Sequence, residues 1–451
     1  MKVLIITYYW PPAGGSGVQR WLKFVKYLPE FGVSPVVYTV KEPEYAVCDE
    51  SLENEVAQDL EVLEGRIWEP NQLLAKWGGK SKKASAGFLD AKPGLAERIL
   101  RFIRANYFIP DSRKFWVKPS VKLLSAYLAD KDFDAIITTG PPHSVHLIGL
   151  ALKRKLGLKW VADFRDPWTS IDYFHNLPLT RKSLKKHQDL ERQVLSNADR
   201  VIVVGGKMKE EYDALNDDVR VISNGYDTYR EKESTGLDKE FTLTYAGLMN
   251  DDRNPKGLWR VLGKLTASNP DFDSDLRIRI VGSCSPEVLN SIEENGLLNN
   301  LENLGYLGHS EVARYQQSAQ VLLLTVNDVP SAKGIVTGKI FEYLQARRPI
   351  LAIGPADGDL ADILEKTHSG VILDFGDEIA MEKVIKGLYR QYKTASLTVN
   401  SRNIEGYHRR NLTAELFEML KELQSFDKEN ENDSENENDT ENENADKTLR
   451  K

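Results

Sequence analysis

A glycine, a lysine and a glutamate at positions 338–342 have the types and the spacing to bind a diphosphate and a ribose. The pair Gly338-Lys339 stands where a helical pattern begins, and Glu342 follows about one turn along that helix. Free backbone N–H groups and the positive end of the helix dipole make a helix start a ready anion site. A diphosphate there, with a carboxylate in reach of the ribose hydroxyls, would hold a nucleotide sugar.

Residues 334–342 have two other interpretations. An ordinary loop, helix and strand with a capped helix start explains the local pattern about as well. A P-loop does not explain it, because three residues rather than four separate Gly334 from Gly338. Ile340 also stands where a serine or threonine would bind Mg²⁺.

Two loops in the first half of the chain follow buried strand patterns and contain residues suited to ligand contact. Gly14-Gly15-Ser16 separates an apolar strand from a helix, and His143 follows the strand at 134–140. Open α/β sheets bind ligands at the loops that follow strand ends, and glycines permit close backbone approach. The alternatives are a simple tight turn for the glycines and a hydrogen bond at a helix start for the histidine.

A third loop carries two acids and an arginine after the strand that begins near residue 159. We expect Asp163 and Arg165 to form a structural pair, which leaves Asp166, with Trp168 close by, to face a substrate.

The chain contains two strings of buried strands that alternate with helices. A polar stretch at 228–240 separates them. The pattern predicts an α/β protein of two doubly wound Rossmann-like domains that face each other across a cleft. The predicted parts are an N-terminal domain 1–228 with an insertion at 41–118, a C-terminal domain 229–400, a helix 401–425 that crosses back to the first domain, and a disordered tail 426–451.

The composition excludes several classes of protein. With only Cys48 and Cys284, the chain has no disulfide framework, which indicates a reducing compartment. We find no secretory signal pattern and no apolar run long enough to span a bilayer, so we expect a cytoplasmic protein. Beyond position 426, ten acids and four bases account for six of the seven net negative charges. This Asn/Glu-rich tail has almost nothing to bury.

The stretch 76–118 interleaves basic residues with aromatic and aliphatic ones. Such a stretch is typical of a segment that lies at an anionic membrane surface. The alternative is a solvated insertion whose apolar residues cap the first domain, and the low charge of the remaining fold disfavours nucleic acid. The basic residues are Lys76, Lys80, Lys82, Lys83, Lys92, Arg98, Arg101, Arg104, Arg113, Lys114 and Lys118.

The order and spacing of short motifs over about residues 1–424 resemble the family 4 glycosyltransferases of the two-Rossmann-domain, or GT-B, architecture. The motifs are Gly14-Gly15, Pro-Pro-His143, Asp163-Phe-Arg-Asp166-Pro-Trp, Ile222-Ser-Asn-Gly-Tyr-Asp227, Tyr245-Ala-Gly247, Lys256-Gly257, Gly305-Tyr-Leu-Gly308 and Glu342. The resemblance implies transfer of a sugar, with retention of configuration, from a nucleotide diphosphosugar to a glycan or lipid-linked acceptor. It implies no metal and no other cofactor, and a place in cell-surface polysaccharide or glycoconjugate synthesis at the inner face of the membrane.

The same resemblance implies roles for single residues. Glu342 would bind the donor ribose, Lys256 the diphosphate, and His143 would lie near the transferred sugar. Other implied donor-side residues are Gly14, Gly15, Gly247, Thr337, Gly338 and Lys339, with Gly308 and His309 near the nucleobase. The acceptor-side candidates are Ser16, Asp166 and Trp168.

The chain departs from the family pattern at two positions. Leu248 stands where the family usually has an arginine, and Arg253 would supply that charge from the next loop. Gly334 replaces a sugar-contacting glutamate eight positions before Glu342, so backbone amides of 334–338 would take its place. Two alternatives therefore stay open: a nucleotide-sugar 2-epimerase of the same architecture, and a catalytically inactive nucleotide-sugar-binding scaffold.

Overall fold

The structure, a computed structural model, places most of the chain in two parallel β-sheets with helices packed around them. The residues it describes are 1–43, 45, 47–68, 94–172, 174–227 and 236–424. The predicted tail, most of the polar stretch at 228–240 and residues 69–93 of the insertion lie outside the described residues.

The first sheet has seven parallel strands in the order β3-β2-β1-β4-β5-β6-β7. Its central strands are buried on both faces, as near-continuous apolar runs predict for a parallel sheet covered by helices. The strands are β1 Lys2–Ile6, β2 Ser34–Lys41, β3 Glu61–Arg66, β4 Ala135–Gly140, β5 Trp160–Phe164, β6 Arg200–Val203 and β7 Val219–Val221. The helices are α1 Ser16–Tyr27, α2 Leu95–Tyr107, α3 Lys114–Leu128, α4 Ser144–Leu156, α5 Arg181–Leu195 and α6 Gly206–Tyr212.

The second sheet has six parallel strands in the order β10-β9-β8-β11-β12-β13. The strands are β8 Phe241–Ala246, β9 Leu276–Val281, β10 Leu301–Gly305, β11 Val321–Thr325, β12 Ile350–Ile353 and β13 Gly370–Leu373. The helices are α7 Lys256–Ser268, α8 Pro270–Asp275, α9 Pro286–Glu294, α10 His309–Ser318, α11 Lys339–Ala346, α12 Asp359–Thr367, α13 Glu378–Lys393 and α14, residues 409–424. Short 3₁₀ turns occupy Leu28–Phe31, Glu50–Glu55, Phe174–Asn176, Asp251–Arg253, Leu298–Asn300, Ala332–Gly334 and Ile404–Tyr407.

Both sheets reverse their strand order beside their first strand. In the first sheet the reversal lies between β1 and β4, and in the second between β8 and β11. Loops that leave two such strands run in opposite directions and open a crevice at the carboxyl edge, where ligands of open α/β sheets bind. The α/β architecture of two doubly wound domains is confirmed.

The last helix returns to the first sheet. Apolar side chains of α14, among them Leu416 and Leu420, share one hydrophobic core with Val3 and Ile5 of β1. The helix begins at residue 409 rather than 401, because Asn403 has a left-handed backbone and the turn after it is a 3₁₀ turn.

The insertion is more regular than its sequence suggests. Residues 61–66 form β3, an edge strand paired with β2, which the glutamates at 61 and 64 had obscured. Trp116 of α3 is fully buried and stacks on Tyr38 with ring centroids 5.1 Å apart. Part of the insertion is therefore core of the first domain. Within the described residues, no helix has the length and apolar content to cross a bilayer.

Candidate functional site

The turn after β8 leaves room for the side chain of Lys339. Gly247 has φ +114°, a conformation that L side chains rarely adopt. A β-carbon on Gly247 would lie 2.5 Å from Cε of Lys339, the first residue of α11. Glycine is therefore needed at this position both for its backbone angle and for the space that the Lys339 side chain occupies.

Two cations meet at one carbonyl oxygen beside this glycine. Nη1 of Arg253 lies 3.2 Å from the Leu248 carbonyl oxygen, and Nζ of Lys339 lies 3.5 Å from the same atom. Nε of Arg253 also donates to Oδ1 of Asn327, at 2.7 Å, in the loop after β11. The turn after β8 and the loop after β11 thus hold a pair of positive groups at the reversal point of the second sheet.

The environment of Lys339 disfavours its charged form. Burial and, to a lesser extent, the charge of Arg253 lower the pKa of the Lys339 ammonium to about 7, against the opposing effect of Glu342. Nζ lies 4.3 Å from the centre of the Tyr245 ring and donates to the Tyr245 hydroxyl. An anion bound beside Lys339 would therefore raise its pKa and favour uptake of a proton.

Glu342 points its carboxylate at a buried amide. Oε2 accepts a hydrogen bond of 2.9 Å from Nε2 of Gln316, a residue of α10 that is itself buried. A purely structural role for Glu342 would give it an ion-pair partner such as Arg347. Arg347 instead pairs with Glu405 at 3.3 Å. Gln316 holds one carboxylate oxygen of Glu342 in position; no motif in the sequence pointed to this residue.

The loop before α11 leaves its backbone open. Gly338 has an ordinary helical backbone angle, and a β-carbon added to it would meet no atom within 4 Å. Oγ1 of Thr337 lies 3.4 Å from the backbone nitrogen of Lys339. No atom of the described residues requires glycine at position 338, so the backbone at this helix start is open to close approach.

Lys256 and the residues expected near the base make contacts other than the expected ones. Nζ of Lys256 forms an ion pair of 2.9 Å with Glu287, and the lysine side chain is 56% exposed. In this structure Arg253 and Lys339, not Lys256, form the cation pair. Gly308 is exposed and caps the start of α10, and the side chain of His309 lies outside the described side chains.

The glycine loop of the first domain packs against the insertion. The backbone N–H of Gly14 donates to the carbonyl of Val47 at 2.9 Å, and a β-carbon on Gly14 would lie 2.9 Å from that valine. Gly15 has φ +88° and precedes α1, whose first residue is Ser16. A β-carbon on Gly15 would meet no atom within 4 Å among the residues that the structure describes.

His143 lies at the start of α4 as a neutral imidazole. Burial lowers its pKa well below the ordinary value, and His146 and Arg165 lower it further. Its Nδ1 is buried and has no hydrogen-bond partner among the described residues. The carboxylate of Asp111 accepts the backbone N–H of Ser144 at 2.9 Å, so the insertion holds the helix start beside this histidine.

The expectation that Trp168 faces an acceptor is wrong. Its side chain is only 2% exposed, and its ring stacks on His143 with centroids 4.9 Å apart. Its Nε1 donates to Nδ1 of His187 at 3.1 Å. Trp168 is a rigid backing for the histidine, because both its ring face and its N–H are already used inside the protein.

The expected pairing of Asp163 with Arg165 is also wrong. Asp163 is fully buried and pairs with Arg20 at 2.9 Å. The Arg165 guanidinium donates instead to the backbone carbonyls of Gly17, Gly140 and Pro141. Arg165 therefore ties the glycine loop to the loop that carries His143.

Asp166 remains exposed on the same edge. Desolvation by the surrounding protein raises the pKa of its carboxyl, Arg165 opposes that effect, and Asp172 reinforces it. Asp172 in turn accepts a hydrogen bond of 3.2 Å from Nδ2 of Asn327. Asn327 also accepts a hydrogen bond from Arg253. Its side-chain amide therefore contacts both Arg253 of the second domain and Asp172, which lies in the loop of the first domain that contains Asp166.

A second contact joins the two domains at the same edge. The carboxylate of Asp359, at the start of α12, accepts the backbone N–H of Lys207 at 3.0 Å. Gly205 leaves room for it, because a β-carbon there would lie 2.2 Å from the Asp359 carboxylate. The crevices of the two sheets are thus held facing each other.

Comparisons with known proteins agree with this arrangement. Residues 77–230 match the family model described as Glycosyltransferase Family 4, which confirms the resemblance for this segment. No curated protein sequence matches the chain significantly.

Solved structures of similar fold cover almost the whole chain. One is the sucrose-phosphate synthase of Thermosynechococcus elongatus, with 16% identity, a TM-score of 0.56, and coverage of 93% of this chain and 96% of that one. HepE of Anabaena, solved with UDP and glucose, has 15% identity, a TM-score of 0.58, and coverage of 93% and 99%. The lipopolysaccharide outer core galactosyltransferase WaaB has 13% identity, a TM-score of 0.57, and coverage of 95% and 100%. At these identities the likeness establishes the GT-B fold.

Proposed function

We propose that this chain, which carries a Glycosyltransferase Family 4 segment on a GT-B fold, moves a sugar from a nucleotide diphosphosugar to a glycan or lipid-linked acceptor. The observation that carries the proposal is the cation pair, Arg253 and Lys339, at the carbonyl of Leu248. The charge of Arg253 disfavours protonation of Lys339 in the free protein, and an anion bound beside both groups would remove that cost. The leaving diphosphate of a nucleotide sugar is such an anion.

The open helix start beside the pair supports the same ligand. A β-carbon on Gly338 would meet none of the described residues within 4 Å, so a ligand can come close to the backbone there, and the helix dipole adds a positive end. Glu342, fixed on one side by Gln316, accepts hydrogen bonds from the ribose hydroxyls. HepE, of similar fold, has been solved with UDP-glucose, which makes UDP the first nucleotide to test.

The proposed reaction needs no metal. The bond between the anomeric carbon and the diphosphate oxygen breaks, and the acceptor oxygen bonds to that carbon on the same face, so configuration is retained. The acceptor proton passes to the departing phosphate oxygen. Arg253, Lys339 and the backbone N–H groups of residues 336–338 stabilise the charge that develops there, because they are already in place before reaction. The N–H groups of Gly334 and Ile335 already donate to backbone carbonyls of the same turn. The neutral imidazole of His143 supplies a polar contact for the sugar.

The acceptor side is assigned to the first domain, where the glycine loop, His143 and the exposed Asp166 face the cleft. In this proposal the enzyme works at the inner face of the cell membrane, in the synthesis of polysaccharide or glycoconjugates. A lipid-linked acceptor requires a membrane contact, for which α2 is suited.

Release of free nucleotide from a panel of UDP- and GDP-sugars, with EDTA present, tests the proposal. Glycosyltransferases hydrolyse their donor slowly without acceptor, so one sugar should give release above the buffer blank. Arg253→Ala should lower that release about a hundredfold, as loss of one preorganised charge donor often does. Arg260→Ala is the matched control. Arg260 lies on α7 and forms a surface ion pair with Glu378, the first residue of α13.

The same experiment separates the alternatives. Conversion of the donor to its 2-epimer without nucleotide release would identify an epimerase. Nucleotide binding with neither release nor conversion would identify a scaffold. Release that EDTA abolishes and Mg²⁺ or Mn²⁺ restores would refute the metal-independent assignment.

A further inference from the structure

Helix α2, residues Leu95–Tyr107, turns its apolar side away from the protein. Leu95, Ile99, Ile103 and Tyr107 recur every four residues and therefore form one stripe. Their exposed fractions are 74%, 52%, 40% and 67%. A surface helix normally buries such a stripe in the core, so this orientation needs an explanation.

The opposite side of α2 is the side held by the protein. Ala105 is buried, and at 3.6 residues per turn it lies far around the helix from Ile103. Asn106 comes seven residues after Ile99 and therefore lies on the side of the stripe, where it ties the end of α2 to the loop before α5. It accepts the backbone N–H of Thr180 at 2.8 Å and donates to the carbonyl of Pro178 at 2.8 Å. These contacts fix the rotation of the helix, so the outward stripe is set by packing.

Positive charge surrounds the stripe. Arg98 and Arg104 are exposed on the flanks of α2, whereas Arg101 pairs with Glu97 on the same helix. Across from α2, helix α5 carries four exposed basic side chains in its first two turns. They are Arg181, Lys182, Lys185 and Lys186.

Aromatic contacts through Phe115 connect Trp68 to Phe108, the residue after α2. The exposed Trp68 packs edge-on against Phe115 with ring centroids 4.7 Å apart. Tryptophan is suited to a boundary between an apolar phase and water, because its ring is apolar and its N–H polar.

We propose that α2 docks this protein on an anionic bilayer, with the stripe Leu95, Ile99, Ile103 and Tyr107 among the lipid chains and the flanking bases on the headgroups. An apolar stripe rimmed by arginines and lysines is the composition of a helix that lies in the plane of such an interface. The inference deepens the proposed function, because it rests on a lipid-linked acceptor and names the surface that meets the membrane.

The charges favour a bilayer over a second copy of the chain. A two-fold contact across α2 would bring the two sets of arginines and lysines together, and like charges at an interface oppose association. Anionic headgroups complement the same charges.

The position of α2 relative to the site fits this role. Asp111, four residues beyond the end of α2, holds the start of α4 through Ser144, next to His143. The segment that would touch the membrane therefore continues directly into the residue that supports the acceptor side of the cleft.

Flotation of the full chain with vesicles tests the proposal. Wild type should float with phosphatidylglycerol-containing vesicles at low salt and not with phosphatidylcholine alone. The variant Ile99→Glu/Ile103→Glu should bind at least about tenfold more weakly, because each change removes a buried apolar group and adds like charge to the lipid. Both side chains are exposed, so its Tm should equal that of wild type.

Two further variants sharpen the result. Ile379→Glu is the matched control, because Ile379 is 86% exposed on α13 in the other domain, and it should float like wild type. Arg98→Gln/Arg104→Gln should weaken binding by about fivefold per arginine, which corresponds to roughly 1 kcal/mol each at an anionic surface.

Several results would overturn the proposal. Wild type that fails to float, or an Ile99→Glu/Ile103→Glu variant that floats like wild type, would do so. So would a wild-type dimer in sedimentation that this variant converts to monomer, since the stripe would then be an interface between copies.

The outcome is separable from that of the proposed function. Nucleotide release without acceptor should be equal in wild type and Ile99→Glu/Ile103→Glu. Flotation without release from any donor would refute the transferase assignment and leave docking in place. Release without flotation would refute docking and leave the transferase assignment in place.

Discussion

Proton uptake by Lys339 is the sharpest consequence of the cation pair. Burial and the charge of Arg253 together lower the pKa of Lys339 to about 7, so the lysine is about half protonated at pH 7 in the free protein. A diphosphate bound beside it favours the ammonium and raises the pKa. Binding of UDP, or of whichever nucleoside diphosphate the chain prefers, should therefore be coupled to uptake of a proton.

The size of the effect follows from that pKa. Between pH 7 and pH 8.5 the protonated fraction of free Lys339 falls from about one half to about 3%. If the bound form stays protonated, nucleotide affinity should fall about 16-fold over this range and proton uptake should rise from about 0.5 to about 1. The terminal phosphate, with a second pKa near 6, is almost fully ionised throughout.

Calorimetric titration in buffers of different ionisation enthalpy measures both quantities. Lys339→Arg keeps a permanent charge, so its affinity should not change with pH over this range. Lys339→Met should bind about 10- to 150-fold more weakly at pH 7, the value of a charged hydrogen bond of roughly 1.5–3 kcal/mol. Lys333→Met is the matched control, because Lys333 forms an exposed ion pair with Asp357.

Stability without ligand should show the opposite trend to affinity. The folded-state pKa of Lys339 lies below its value in the unfolded chain, so the unfolded chain binds the extra proton between about pH 7 and pH 10. The contribution of Lys339 to the free energy of unfolding therefore rises with pH in this window. Wild-type affinity that is constant from pH 7 to 8.5, with no proton uptake, would refute the assignment of Lys339 to the diphosphate.

Further predictions follow from the same site. Glu342→Ala should weaken nucleotide binding by about 10- to 150-fold at an unchanged Tm, because it removes charged hydrogen bonds to ribose; equal affinity with a lowered Tm would make the residue structural. Lys256→Ala should lower turnover by less than about tenfold, in contrast to Arg253→Ala, because its ammonium lies in a surface ion pair; an equal loss would return it to the diphosphate. Gly247→Ala should lower the Tm and weaken nucleotide binding, since it combines a positive φ with a clash; a Tm equal to wild type would show that the turn relaxes. Removal of the acidic tail after residue 426 should leave melting and turnover unchanged, and a loss of either would show that the tail contributes.

The two-domain α/β fold follows from local features of the amino-acid sequence. Buried runs such as 3–6, 134–140 and 350–353 are too apolar to be anything but strands covered on both faces, and their alternation with helical patterns predicts parallel sheets. The glycines at 14–15 and 247 also follow from local chemistry, because they mark places where the backbone must take unusual angles or approach another group closely. Such features depend on neighbours in the chain, so the sequence contains them directly.

Only the tertiary structure decided which side chains meet. Gln316 positions Glu342, and Asn327 joins Arg253 to Asp172, although no spacing in the sequence connects these residues. Tertiary packing also turned Trp168 inward behind His143. These contacts form between elements far apart in the chain, where the geometry of packing, not the local pattern, selects the partner.

The direction of the stripe on α2 shows most clearly which features the local sequence sets and which depend on tertiary packing. Its four-residue period predicts an amphipathic helix from sequence alone, and the ordinary expectation is that the stripe faces the core. The opposite side packs against the protein at Ala105, and the stripe therefore faces outward. Periodicity determines that a helix has an apolar side, but only the contacts of its other side decide where that apolar side points.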